Sequence, residues 1–266
     1  MTEEEKLKQV LGTLGLGEWQ YFPRVGSTND LALDWARKGA QDGSLVLAET
    51  QTAGRGRGDR RWVTQPGSAL AMSLILRPLG EELTCIPRFT ALAALGLIRA
   101  LESLGLQAAL KWPNDVLLEG KKAAGVLVEA DWQGDNLEAL VLGMGVNVSS
   151  DSVPEPEQLR YPATSVMDAC GRPVDRWELL GEILGEIRTL RERLPSQDFL
   201  NRWNQALVFR EERVSFRSTT GDGRGVRDIR VLGVGSDGAL IYKNESGEEE
   251  RALAGEILMA YNQNED

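Results

Sequence analysis

The chain has 266 residues, 42% apolar and 26% charged, enough for one large domain with a sizeable core and a second small one. Its formal charge of −10 does not suit non-specific binding to DNA or to an anionic membrane. Histidine is absent, which excludes Ser-His-Asp and Cys-His catalysis and histidine metal sites, and the two isolated cysteines, Cys85 and Cys170, give neither a disulfide framework nor a zinc site and fit a reducing cytoplasm.

Residues 1–9 carry Glu3, Glu4, Glu5, Lys6 and Lys8, with no apolar stretch of a secretory peptide. No apolar run reaches the about 18 residues a membrane span needs. Trp19–Val25 reads as a short strand. Ser27-Thr28-Asn29-Asp30 then starts a helix, with Ser27 as cap and Leu31 and Trp35 on one face. Leu45–Glu49 and Ala69–Leu76 read as buried strands, and Ile86–Leu104 as a helix with Phe89, Leu92, Leu95 and Leu101 near helical period. Lys111 ends a strand and Pro113-Asn114-Asp115 makes a turn. Strands follow at Ala123–Ala130 and Leu137–Val148, then a surface loop at Asp151–Pro162. Arg176–Leu194 is a strongly amphipathic helix, and Gln197–Leu207 another. Past Glu212 four short strand-like runs appear, Val214–Arg217, Val226–Gly233, Ala239–Tyr242 and Glu250–Leu253. The turn signals Gly221-Asp222-Gly223, Asp237-Gly238 and Ser246-Gly247 separate them. That pattern predicts a small antiparallel β-barrel, so that residues 1–210 form the main domain and 211–266 the small one.

Three segments could carry chemistry. Gly54–Trp62 holds three glycines and four arginines (Arg55, Arg57, Arg60, Arg61) inside an acidic chain. Glycine lets backbone approach a ligand, and guanidinium forks suit carboxylate and phosphate. A solvated loop or an RNA-binding arginine-glycine segment would look the same. Lys111-Trp112-Pro113-Asn114-Asp115 with Lys121 and Lys122 could equally be a hairpin with lysines at its tip. In Gly143-Met144-Gly145-Val146-Asn147, alternate residues share a face, so Gly143, Gly145 and Asn147 lie opposite the apolar side. With Gly125 on the preceding strand, they predict a sheet floor kept clear for something flat, or a strand packed tightly on a helix. Ser27-Thr28-Asn29 is an adequate helix cap, and could also offer uncharged hydrogen-bonding groups to a ligand.

Taken in order, Ser27–Asn29, the Gly54–Trp62 loop, Lys111–Asp115, Lys122–Glu129, Gly143–Asn147 and Gly255-Glu256-Ile257 resemble the biotin protein ligase family. The resemblance covers residues 25–257. It implies a mixed α/β (α+β) catalytic domain of the class II aminoacyl-tRNA synthetase kind, followed by a small barrel of the Src-homology-3 type. It implies that biotin and Mg-ATP give biotinyl-5′-AMP and pyrophosphate, and that a lysine of a biotin carrier domain then takes the biotin. Ser27, Thr28, Asn29 and Gln51 would meet the neutral ureido ring. Gly125, Gly143 and Gly145 would make room for the ring and side chain. Gly54, Arg55, Gly56 and Arg57 would hold the carboxylate and α-phosphate, with Lys122 as the key cation. Arg57, Arg60, Trp62, Lys111, Asn114, Asp115, Lys122 and Asn147 would border ATP, with Mg2+ brought by the nucleotide. Lys122 and Arg57 are the expected catalytic pair. No general base is needed, because the acid is ionised at pH 7.

The resemblance also implies that the loop from Gly54 to Arg61 is mobile without ligand and orders over the adenylate, excluding water. Two departures stand out. Asp59 places an acid among the arginines where relatives often have glycine. Ala163 stands where some relatives place an aromatic against adenine. Only about 18 residues precede the first strand, too few for a helix-turn-helix domain, so no operator binding is expected. A monomer or a homodimer is expected. The competing readings are a lipoate or octanoate enzyme of the same superfamily and a non-enzymatic polyanion-binding module, which the net charge opposes.

Overall fold

The structure is a computed structural model and describes residues 2–58, 60–155, 157, 159, 161–219 and 225–259. Its main layer is a mixed seven-stranded sheet in the order β1-β2-β3-β7-β6-β5-β4. The strands are β1 Trp19–Phe22, β2 Leu45–Ala48, β3 Ala69–Leu76, β4 Ala108–Lys111, β5 Asp115–Leu118, β6 Lys121–Gln133 and β7 Asn136–Asn147. Only β1 and β2 run parallel; every other neighbour is antiparallel. One face carries Leu45, Leu47, Leu70, Met72, Leu74, Leu140, Leu142 and Val146, all buried. Against it pack α3 (Arg88–Ser103) and α5 (Arg176–Arg191), whose apolar residues recur at helical spacing.

The opposite face is only half covered. Helix α2 (Thr28–Arg37) lays Ala32 and Ala36 on Val46, Ile75, Ala139 and Val141. The uncovered half of that face carries the small residues and the chemistry. Helix α1 (Glu3–Gly12), which the sequence did not announce, is started by a capping box. Glu5 N donates to Thr2 Oγ1 and Thr2 N to Glu5 Oε2. Leu7 and Leu11 bury its inner side, and Glu3 accepts from Arg176 and from Trp177 Nε1. A short helix α4 (Val166–Cys170) and helix α6 (Gln197–Ala206) complete the layer.

The last strands are β8 Arg213–Ser218, β9 Val226–Val234, β10 Leu240–Lys243, β11 Glu249–Ala252 and β12 Gly255–Leu258. They pair antiparallel in the order β11-β10-β9-β8-β12, which leaves β11 and β12 as edges, so the sheet is open where closure was expected. β12, which lies outside the four strand-like runs of the sequence, pairs with β8. The turn expected at Gly221-Asp222-Gly223 lies outside the described residues. The two sheets share aromatic packing. Trp112 donates from Nε1 to Gly238 O, its ring lies 6.2 Å from that of Phe216, and Phe216 lies 5.6 Å from Tyr242. Gly255 sits against Phe216, where a Cβ would come within 2.3 Å of the ring.

Candidate active site

Strand register puts Ala71, Gly145, Gly125, Asp115 and Lys111 in one row across β3, β7, β6, β5 and β4. Cross-strand partners share a face, so the row is a floor without side chains that ends in two charges. The expectation that this floor is kept clear is modified by the structure. The Trp62 indole lies on it, 2.2 Å from where a Gly145 Cβ would stand, and touches the Gly125 position at 3.5 Å. Gly143 is bare for another reason: a Cβ there would come within 2.1 Å of Asn29 Oδ1.

At the charged end a β-bulge sets the geometry. Val116 pairs with Ala124 but Leu117 with Lys122, leaving Ala123 as the extra residue. The bulge turns Lys122 onto the glycine face, with its Nζ 3.4 Å from the Gly125 Cβ position. Lys122 N donates to Pro162 O and Thr164 N to Lys122 O, so both backbone groups of Lys122 are held by the segment around Ala163. Lys122 Nζ is 2.5 Å from Asp115 Oδ1, and Lys111 Nζ is 3.5 Å from Asp115 Oδ2. Lys111 is only 2% exposed. Burial pulls its ammonium pKa down, against the attraction of Asp115 and Glu256. Burial works to raise the Asp115 carboxyl, but Lys122, Lys111 and Arg60 outweigh it and hold it below the usual carboxylate range. Asn114 and Asn147 face inward, donating from Nδ2 to Val126 O and Thr164 O. Lys111 also lies 4.8 Å from the centre of the Tyr161 ring.

The arginine loop is a short irregular hairpin. Gly56 N donates to Arg60 O and Trp62 N to Gly54 O. Gly54 has no alternative, since a Cβ would lie 2.4 Å from Trp62 O. Its arginines diverge. Arg55 pairs with Asp30 at 2.7 Å and Glu129 at 2.6 Å, beside α2. Arg57 donates to Gly255 O and stands 6.0 Å over Trp112, and burial lowers its guanidinium pKa. Arg60 pairs with Glu256 at 2.6 Å. The expected pairing of Arg55 with Arg57 around one anion is therefore not the arrangement here. Asp59 lies outside the described residues.

At the far end the groups are neutral. Ser27 caps α2, accepting from Asp30 N at 3.5 Å. Thr28 donates to Gln51 Oε1 from both N and Oγ1, at 2.8 and 3.1 Å. Asn29 Nδ2 donates to Leu127 O at 3.3 Å and to Glu129 Oε2 at 2.7 Å. Ser73, fully buried, contacts Thr28 Oγ1 at 2.8 Å and Asn29 Oδ1 at 2.6 Å. Two cavities meet over the floor. One, of about 100 Å³, touches Thr28, Gln51, Gly125, Gly143 and Gly145; the other, of about 420 Å³, touches Asn147, Tyr161 and Ala163. Arg60, Arg61, Trp62, Asp115 and Lys122 border both. A groove of about 900 Å³ lies elsewhere, among α1, α3 and α5, away from these groups.

Ser73 and Tyr161 carry no site role in the sequence, and Arg61 and Glu129 stand there only as members of the Gly54–Trp62 and Lys122–Glu129 segments. Ser73 had a signal: Ala69, Ala71 and Ser73 are small at alternate positions of β3, on the face that Gly143 and Gly145 share. Glu129 and Tyr161 reach the site by tertiary contact alone.

A relative from Paracoccus denitrificans, a biotin--[acetyl-CoA-carboxylase] ligase, is 34% identical over 236 residues, covering 85% of this chain and 94% of that protein. The chain belongs to the biotin/lipoate A/B protein ligase family. The family's match spans residues 21–147, which includes α2, the arginine loop, Lys122 and the glycine strand. The bifunctional ligase/repressor BirA of Bacillus spizizenii is 40% identical over 183 residues, 68% of this chain and 56% of that protein. This chain thus spans little more than half of that relative, and half of the Bacillus subtilis one. Among solved structures, the biotin protein ligase from Aquifex aeolicus in complex with biotin and ATP superposes with a TM-score of 0.74 at 27% identity, covering 90% of this chain and 97% of that one. The mixed α/β fold is that of biotin protein ligases.

Proposed function

We propose that this protein is a biotin protein ligase: it activates biotin with ATP and transfers it to a lysine of a biotin carrier domain. The observation that carries the reading is the row from Gly145 through Gly125 to Asp115 and Lys111, with a neutral hydrogen-bonding end at Thr28 and Gln51 and a cationic end at Lys122. One substrate that is neutral and flat at one end and anionic at the other fits such a row. The names of the Paracoccus relative and the Aquifex structure agree with it.

In the first step a carboxylate oxygen of biotin attacks the α-phosphorus, and the α–β bond breaks to release pyrophosphate. Two anions must meet, and Lys122 with Arg57, Arg60 and Lys111 supplies the charge that lets them. Asp115 holds Lys122 until the anions arrive. In the second step the neutral lysine amine attacks the acyl carbon of the anhydride. AMP leaves and the amide nitrogen gives up a proton. Mg2+ enters as part of the triphosphate substrate.

The ring would take the floor at Gly125 and Gly145, and the nucleotide the larger cavity beside Tyr161 and Asn147. The smaller cavity, about 100 Å³, falls short of the ~300 Å³ that small-molecule sites usually need, so Trp62 has to leave the floor when biotin enters. The Gly54–Arg61 segment would then order over the product. We assign residues 1–210 to the catalytic domain and 211–266 to a small unit of the Src-homology-3 type, which meets the arginine loop through Gly255 and Glu256. No helix is long and apolar enough to cross a membrane among the described residues, and a cytoplasmic site of action is proposed. Biotin-dependent exchange of pyrophosphate into ATP, followed by transfer to a carrier domain, tests the reading. Lipoate in place of biotin separates it from the sister activity of the family.

A further inference from the structure

We infer that Ser73 is a positioning residue that fixes the direction of the Thr28 hydroxyl, so that the neutral end of the pocket accepts a hydrogen bond from an N–H and selects acids whose head carries one. The inference rests on the biotin reading above and adds the group that sets the specificity.

Proton accounting carries it. Asn29 faces two pure acceptors, Leu127 O at 3.3 Å and Glu129 Oε2 at 2.7 Å, so its NH2 points at them and its Oδ1 points at Ser73. Ser73 Oγ is within donating reach of both Asn29 Oδ1, at 2.6 Å, and Thr28 Oγ1, at 2.8 Å; its single proton is assigned to Oδ1, the nearer of the two and the one with no proton of its own. Ser73 Oγ is left with lone pairs only towards Thr28, 2.8 Å away. Gln51 Oε1 is fixed as an acceptor in turn, because Thr28 N donates to it at 2.8 Å. Thr28 Oγ1 therefore has two inward acceptors, Ser73 Oγ and Gln51 Oε1, and no inward donor. Its proton points into the protein and a lone pair is turned to the cavity. Gln51 keeps its NH2 as a donor beside it.

The pocket end thus presents one acceptor and one donor side by side, the complement of an N–H next to a C=O. A ureido ring offers that pair; a dithiolane or an alkyl tail offers neither. Ser73, Thr28 and Asn29 are 0%, 3% and 5% exposed, so water cannot reverse the order cheaply. A site built this way rejects analogues that leave its polar groups unpaired.

The test uses the full chain, ATP–pyrophosphate exchange, and the two biotin analogues in which one or the other ureido N–H is replaced by CH2. The wild type should prefer biotin over one of the two by roughly 100-fold in KM, the upper range for one unpaired buried group. Ser73→Ala should shrink that preference to a few-fold and leave the KM for ATP unchanged. Thr28→Val should do the same, and the double variant should add nothing. Ser73→Cys, a weak donor of similar size, should fall between. A Ser73→Ala protein that keeps the wild-type preference, or effects that add in the double variant, would overturn the relay. Should Ser73→Ala not fold, Thr28→Val alone decides, since a retained preference contradicts an acceptor at Thr28. A wild type that uses biotin but ignores the analogue difference also overturns the relay. A wild type that uses none of the three acids overturns the proposed function instead.

Discussion

At the Thr28 end of the site, the Thr28 hydroxyl, the Asn29 amide and Gln51 Oε1 already have protein partners. At the Lys122 end, two lysines share one carboxylate, and Arg57 and Arg60 are tied to the C-terminal sheet. At the first end the groups that touch the floor are uncharged, and the nearest charges, Arg55 and Glu129, neutralise each other. The cationic end is held by counter-ions within the protein. Under the proposed reaction, recognition would rest on packing, and activation on ion pairs that a phosphate could replace.

Removing the central counter-ion should give the largest effect. Asp115→Asn leaves Lys111 buried beside Lys122 without a carboxylate, and stability should fall by about 3–5 kcal/mol in urea unfolding. Its pH dependence follows the direction of the shift. A carboxyl held below its ordinary value contributes stability that is fully present above about pH 4. That contribution is lost as pH falls through the lowered folded value. Asp115→Asn should therefore flatten the acid limb of the stability curve, and an unchanged limb would separate Asp115 from acid unfolding.

Lys122→Ala should lower biotin-dependent pyrophosphate release by roughly 10²–10³-fold, the scale of one lost charge-stabilising donor. Normal release would move activation away from the bulge. Gly143→Ala places a Cβ on Asn29 Oδ1 and should cost about 1–3 kcal/mol by overpacking, read by thermal unfolding. A neutral result would mean that Asn29 yields easily and that the neutral end is less fixed than its contacts imply. Glu256→Gln should have the smallest effect. Its partner Arg60 is 43% exposed although Glu256 itself is only 8% exposed, and glutamine keeps an acceptor for the guanidinium, so a few-fold change in the KM for ATP that salt suppresses is expected.

Much of this contrast is legible in the residues. Strand alternation places Gly143, Gly145 and Asn147 on one face, and the cap at Ser27 marks the start of α2. Lys122 is conspicuous only through resemblance, because its orientation depends on a bulge that no local pattern announces. Alternation across an unbulged strand would put Lys121, not Lys122, on the face of Gly125. Trp62 on the floor, Arg55 turned to Asp30 and Glu129, and Glu256 under Arg60 are products of loop geometry and long-range contact, which periodicity does not encode. Helix α1 escaped notice because its inner side has only Leu7 and Leu11 fully buried, and its charges dominate. The barrel expected from the last strands is an open sheet, since turn signals count strands but do not say which edges meet.

The central claim is that one molecule spans both ends of the row, its neutral head at Thr28 and its carboxylate at Lys122. Exchange of labelled pyrophosphate into ATP, with purified protein and biotin, tests that most directly. Exchange should require biotin, fail with lipoate, and collapse in Lys122→Ala. Exchange that proceeds equally without biotin, or none with any acid, would contradict that claim.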